Sequence, residues 1–160
     1  MSTQDARSAF APTIPGLSPH ILIIRAPYYQ GVVDGLTQGA RKILSEAGAT
    51  SETLDISGAY ELPQAIRLAV KGIQRFDGYV VLGCILRGET DHYDFICQST
   101  MDGVMNVSLQ FGLCIGTGLL TCDNLGQAEA RSGRDGQNKG AEAAMAVLMQ
   151  VSAARRFVAA

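Results

Sequence analysis

The chain has 160 residues, 47% of them hydrophobic and 18% charged, with a formal net charge of −2. That length suits one domain with a real core, and that balance excludes a natively disordered chain. The weak negative charge gives no reason to expect nucleic acid or a membrane surface as partner.

Residues 1–18 read as a polar arm punctuated by Pro12 and Pro15, either disordered or laid extended on a neighbour. The first residues, Met1 to Phe10, lack the basic start and long apolar core of a signal peptide. Residues 19–160 read as a single domain in which strands and helices alternate. Residues 20–25 predict a buried strand. Val32, Val33, Leu36, Ala40, Ile43, Leu44 and Ala47 then recur at helical spacing, and Gly48 ends that helix. Residues 53–57 predict a second strand. Leu62, Ala65, Ile66, Ala69, Val70 and Ile73 mark a second helix, with Pro63 tolerated in its first turn. Residues 78–86 predict a third strand and 95–111 a third helix, weakened by Gly103. Residues 113–121 predict a fourth strand. Asn124 is an N-cap for a short helix through Arg131, and Ala143, Ala144, Val147, Leu148, Val151 and Ala154 form a last amphipathic helix.

This alternation predicts an α/β fold of three layers, an open parallel sheet covered on both faces. Right-handed crossovers favour a doubly wound sheet, which binds ligands at the carboxyl ends of its strands. The informative loops are therefore 25–29, 57–61, 86–92 and 121–124.

Four cysteines, Cys84, Cys97, Cys114 and Cys122, form no C-x-x-C pair. They read as buried small hydrophobes, with a functional thiol as the alternative. No apolar run reaches membrane-spanning length, and a reducing cytoplasm is the expected compartment.

The richest stretch is Arg87-Gly88-Glu89-Thr90-Asp91-His92-Tyr93-Asp94, after the most strand-like segment. A strand running through glycine into a helix offers free N–H groups to an anion. It is neither a Walker loop nor a G-x-G-x-x-G turn, and a solvated helix cap is the plain alternative. His92 can act as acid and base beside that anion, or serve structure. A metal set with Asp94 and Cys97 is poorly placed, because residues two apart do not share a helical face. His20 reads as structural.

Three further groups carry the same two readings. Tyr28, in Ala26-Pro27-Tyr28-Tyr29, can stack on a planar heterocycle or pack on the next helix. Ser57-Gly58-Ala59-Tyr60-Glu61-Leu62-Pro63 lets a ligand approach backbone and offers the Glu61 carboxylate to hydroxyls. It is otherwise an ordinary strand–helix turn with an acidic first-turn residue. Arg131, Arg134 and Lys139, read as a loop among Gly133, Gly136 and Gly140, suit a phosphate or are solvated charges.

The order Gly58-Ala59-Tyr60-Glu61-Leu62-Pro63, then Arg87-Gly88-Glu89-Thr90-x-His92-x-Asp94, then Asn138-Lys139-Gly140 resembles the lumazine synthase family of riboflavin biosynthesis, over about residues 21–157. The resemblance implies a flavodoxin-like sheet of four parallel strands, built into homopentamers and in some members into shells of twelve pentamers. It implies condensation of 5-amino-6-(D-ribitylamino)uracil with 3,4-dihydroxy-2-butanone 4-phosphate, without metal or organic cofactor. Carried over by position, Tyr28 stacks on the pyrimidine. Gly58, Ala59, Tyr60 and Glu61 hold the ribityl chain, and Cys84, Ile85 and Leu86 border the ring. Gly88, Glu89 and Thr90 meet the phosphate together with Arg131 and Lys139 of an adjacent subunit, and His92 moves protons. The chain departs from the family at Pro27, Tyr28, Ser57 and Thr117. Thr117 stands where many members place a phenylalanine that closes the ring pocket from the neighbour. Two other readings are an archaeal-type riboflavin synthase and a non-catalytic shell or flavin-binding protein. Thr90, Arg131 and Lys139 speak against the first, and the intact set of Glu61, His92 and Arg131 against the second.

Overall fold

The first apolar run forms strand β1 (His20–Ala26), five of whose seven residues are buried. The structure, a computed structural model, describes residues 8–133 and 137–158. After β1 come α1 (Gln30–Glu46), β2 (Thr50–Asp55), a short 3-10 turn (Ala59–Glu61), α2 (Leu62–Lys71) and β3 (Gly78–Leu86). The chain continues through α3 (His92–Phe111), β4 (Ile115–Cys122), α4 (Leu125–Ser132) and α5 (Lys139–Val158). The four strands form one parallel sheet in the order β2-β1-β3-β4.

Alternate residues of the inner strands feed two separate cores. Ile21, Ile23, Val80 and Leu82 face α1 and α5, where Val33, Leu36, Leu44, Val147 and Leu148 complete one cluster. Leu22, Ile24, Tyr79 and Val81 face α2 and α3, where Leu62, Ile66, Val104 and Val107 complete the other. β1 and β3 are continuous apolar runs because both of their faces are covered.

Several expected boundaries move. β2 spans 50–55 rather than 53–57, since this edge strand leaves most of its side chains in water and carries no buried pattern to read. α2 stops at Lys71, where Gly72 turns extended, and Ile73 stands fully exposed. β4 begins at Ile115, two residues late, after Gly112 ends α3 in the left-handed region at φ 61°. α3 begins at His92, three residues early, and Gly103 sits inside it for a packing reason. A Cβ there would lie 2.7 Å from Cγ of Pro63, so glycine lets α3 approach α2. Arg131 belongs to the last turn of α4, in keeping with the expected short helix through it rather than with a loop, and Lys139 opens α5, so its expected loop placement is wrong. Arg134, Asp135 and Gly136 lie outside the described residues.

The α4–α5 connection is anchored by Asn138. Its amide nitrogen donates to the carbonyls of Gly35 (2.9 Å), Ser132 (2.8 Å) and Gly133 (3.2 Å). Its Oδ1 accepts the N–H groups of Gly140 (2.9 Å) and Ala141 (3.1 Å). The approach leaves no room for side chains: a Cβ on Gly140 would stand 1.9 Å from the Leu36 carbonyl oxygen. Gly140→Ala is therefore expected to cost about 1–3 kcal/mol of stability by overpacking against backbone. A lower urea midpoint at unchanged slope would show it.

Residues 8–18 lie against their own chain. Ala9 and Ile14 pack on the α1–α5 core, and the Arg155 guanidinium donates to the carbonyls of Pro15 (2.8 Å) and Leu17 (2.5 Å) while pairing with Asp77 (3.0 Å). At the far edge of the sheet, side chains cover the β4 backbone. Gln150 accepts the Ile115 N–H and donates to its carbonyl, Thr117 accepts the Leu119 N–H, and Gln127 accepts the Asp123 N–H just past the strand. α3 is unevenly used, burying Thr100, Val104 and Val107 while Phe95, Met101, Met105 and Leu109 are exposed. No helix among the described residues is long and apolar enough to cross a membrane.

Candidate active site

From β1 the chain moves outward to β2, then returns to the other side of β1 as β3, so the winding reverses between β1 and β3. Loops diverge from the carboxyl ends of the strands at such a point and leave a crevice. A pocket of about 270 Å3 opens there. Tyr28 and Tyr29 line it from the end of β1, Gly58 and Ala59 from the end of β2, Cys84, Ile85 and Leu86 from β3, and His92 and Ile96 from the first turns of α3. Seven of these nine were expected from sequence. Tyr29 and Ile96 were not, although Ile96 stands four residues after His92 and so shares its helical face.

Tyr28 is 77% exposed, with its ring tilted against that of Tyr29, centroids 5.1 Å apart, so little of it is used in packing on the next helix. Its face is available to a flat ring. Gly58 is extended, and Oε2 of Glu61 lies 2.9 Å from where its Cβ would be. The carboxylate thus folds back over Gly58 at the rim of the pocket. Tyr60, beside it, is exposed.

Cys84 forms buried wall. Burial, reinforced by the nearby Cys122, pushes its thiol up to about 12, and burial also raises Cys97, Cys114 and Cys122. All four are free thiols that stay protonated near neutral pH. A wall rather than a nucleophile follows, because the thiolate is the reactive form.

Gly88, Glu89 and Thr90 are exposed in the link from β3 to α3. The Thr90 hydroxyl accepts the His92 N–H at 3.4 Å, and no side chain of Asp91 caps the helix. The N–H groups of Asp94 and Phe95 donate to the Asp91 carbonyl, so what the start of α3 brings to the pocket mouth is the positive end of the helix dipole and an exposed imidazole.

The remaining expected residues do not line this pocket in their own chain. Thr117 is exposed on β4. Arg131, two turns into a helix started by the Asn124 cap (3.0 Å to the Gln127 N–H), donates to the Gln127 carbonyl at 2.8 Å. Lys139 pairs with both oxygens of Glu142 at 2.8 Å. A larger depression of about 600 Å3 lies between α1 and α4, but the carboxylates of Asp34 and Glu129 in its lining suit a phosphorylated ligand poorly.

The pocket thus joins an aromatic face, approachable backbone, a carboxylate, an imidazole and a helix N-terminus. Comparison with known proteins places the chain as a whole. The family model described as 6,7-dimethyl-8-ribityllumazine synthase matches residues 18–155. The chain is 39% identical over 139 residues to the 6,7-dimethyl-8-ribityllumazine synthase of Bartonella tribocorum, covering 87% of this chain and 92% of that one. It is 40% identical over 139 residues to that of Bartonella henselae, covering 86% and 90%. It is 41% identical over 138 residues to that of Sphingopyxis alaskensis, covering 86% and 96%. A match of this extent means that the chain belongs to the 6,7-dimethyl-8-ribityllumazine synthase family.

Proposed function

We propose that this protein condenses 5-amino-6-(D-ribitylamino)uracil with 3,4-dihydroxy-2-butanone 4-phosphate, yielding 6,7-dimethyl-8-ribityllumazine, phosphate and water, the penultimate step of riboflavin biosynthesis. The observation that carries this reading is the switch-point pocket, which unites Tyr28, Gly58, Ala59, Cys84, Ile85, Leu86 and His92 from four separate segments.

Each part has a task. The Tyr28 ring stacks on the pyrimidine, and Cys84, Ile85 and Leu86 border it as neutral wall. Gly58, Ala59 and Tyr60 offer backbone to the ribityl chain, whose hydroxyls donate to Glu61. Gly88, Glu89 and Thr90 hold the phosphate at the start of α3. The pyrimidine amine attacks the carbonyl of the butanone, and His92 takes and returns protons as water leaves and the imine forms. Phosphate is then expelled, its charge stabilised by amides already aimed at it. Ring closure with loss of water completes the product. Holding two small substrates together supplies much of the acceleration, and no step calls for a metal or organic cofactor.

The site is completed by a second copy of the chain. Arg131 and Lys139 sit away from their own pocket, where they can serve a neighbour's phosphate, and Thr117 faces the neighbour's ring pocket through hydroxyl and backbone. The exposed apolar face of α3 supports self-association into a homopentamer, the unit from which a shell of twelve pentamers is built. The cytoplasm supplies both substrates and keeps the four thiols reduced.

Mixing the purified protein with the two substrates is expected to produce fluorescent lumazine and release phosphate. No product at any pH would sink the reading.

A further inference from the structure

The geometry points to Arg87 as the residue that positions the phosphate loop and His92 rather than as a ligand of the anion; this inference rests on the reaction proposed above. Arg87 is the first residue past β3, and its N–H donates to the Cys122 carbonyl at 2.9 Å, one step beyond the strand pairing. Its guanidinium forks onto both oxygens of Asp94, at 3.1 and 3.2 Å. Its Nε reaches Asp123 at 3.4 Å, and its Cζ lies 4.1 Å from the centroid of the Tyr93 ring.

Three segments are thereby joined: the end of β3, the first turn of α3 and the link from β4 to α4. Gly88, Glu89, Thr90 and His92 all lie inside the loop that the Arg87–Asp94 fork closes. Packing does little for that loop: Gly88, Glu89 and Thr90 are exposed, and a Cβ on Gly88 would meet nothing within 4 Å. A two-pronged planar pair fixes direction as well as distance, which a lysine cannot do. Two carboxylates already face the guanidinium, so its pull on a phosphate is weakened while its hold on the loop is strong. The cluster is half-exposed and outside both cores, so the fold does not depend on it.

The test compares full-length wild type, Arg87→Lys and Asp94→Asn in steady-state kinetics and in hydrogen–deuterium exchange of the peptide spanning 87–94. Both variants are expected to lose about 10-fold or more in kcat, since small misplacements of reacting groups are costly. Both should exchange faster in that peptide, with thermal midpoint and affinity for a ribityl-pyrimidine analogue unchanged. Full activity of Arg87→Lys would overturn the inference, because charge alone would suffice. So would an Asp94→Asn enzyme with normal kcat and a lower KM for the butanone phosphate, the result if a freed Arg87 bound the anion. Parallel loss of analogue binding and thermal midpoint would mark Arg87 as merely structural. An inactive wild type would sink the reaction proposal, yet unchanged exchange in both variants would overturn the positioning role independently.

Discussion

Replacing His92 with alanine is expected to lower kcat by roughly 100- to 10,000-fold, the usual contribution of a positioned acid–base group. The protein should nonetheless keep its thermal midpoint and its affinity for a ribityl-pyrimidine analogue. His92 is the first residue of α3, exposed, and bound through its own N–H only to the Thr90 hydroxyl. Truncating it leaves no cavity in either core, so the stability cost should stay within the range of ordinary surface changes. The imidazole borders the pocket beside Ile96, at the end where the phosphate loop meets α3. Steady-state turnover together with isothermal titration of the analogue separates the two contributions. A variant that loses binding in step with turnover would assign His92 to structure.

The second large effect concerns two chains at once. Arg131→Ala alone is expected to cost roughly 100- to 1,000-fold in kcat/KM for the butanone phosphate, the scale of losing one charge-stabilising donor. Co-assembling it with His92→Ala should restore activity that neither variant shows alone. In the proposed ring, each site would take His92 from one copy and Arg131 from the next. A random equal mixture therefore contains roughly a quarter of sites in which both residues are intact. Unfolding and refolding the two variants together, then assaying against separately refolded controls, reads this out. Absence of recovery in a demonstrably mixed assembly would mean that Arg131 acts within its own chain. That would require it to leave the Gln127 carbonyl, which it holds at 2.8 Å.

The inner half of the fold was the legible half. β1 and β3 are buried on both faces, so solvent leaves its mark on the sequence as unbroken apolar runs. β2 is an edge strand made largely of exposed polar residues, so a strand was read at 53–57 but its true bounds, Thr50–Asp55, show only once Ile21 to Ile24 are seen pairing with it. The pocket was legible for a related reason. Each of its walls lies at the carboxyl end of a strand, where topology alone directs attention, and its motifs carry unusual residues in fixed order. Tyr29 was hidden because it is half-buried against the α1 core and reads as packing. Arg131 ended an expected short helix, whereas the helical placement of Lys139 was missed because Gly133 and Gly140 looked like loop. Gly140 is instead demanded by the Leu36 carbonyl across the α1–α5 interface. One of the five bonds of Asn138, to the Gly35 carbonyl, spans 103 residues, a fact of tertiary structure with no local signature.

The side chains that cover β4 have a consequence for solubility. An open parallel sheet ends in unsatisfied N–H and C=O groups, and such a row can recruit strands from other molecules and seed aggregates. Here Gln150 occupies both polar groups of Ile115, while Thr117 and Gln127 accept the N–H groups of Leu119 and Asp123 farther along. Open-ended growth by strand addition is thereby discouraged at that border, at the cost of three polar side chains. If the proposed self-association runs through the exposed apolar face of α3, this asymmetry favours it, because association through helices can close on itself whereas strand addition at a sheet border need not.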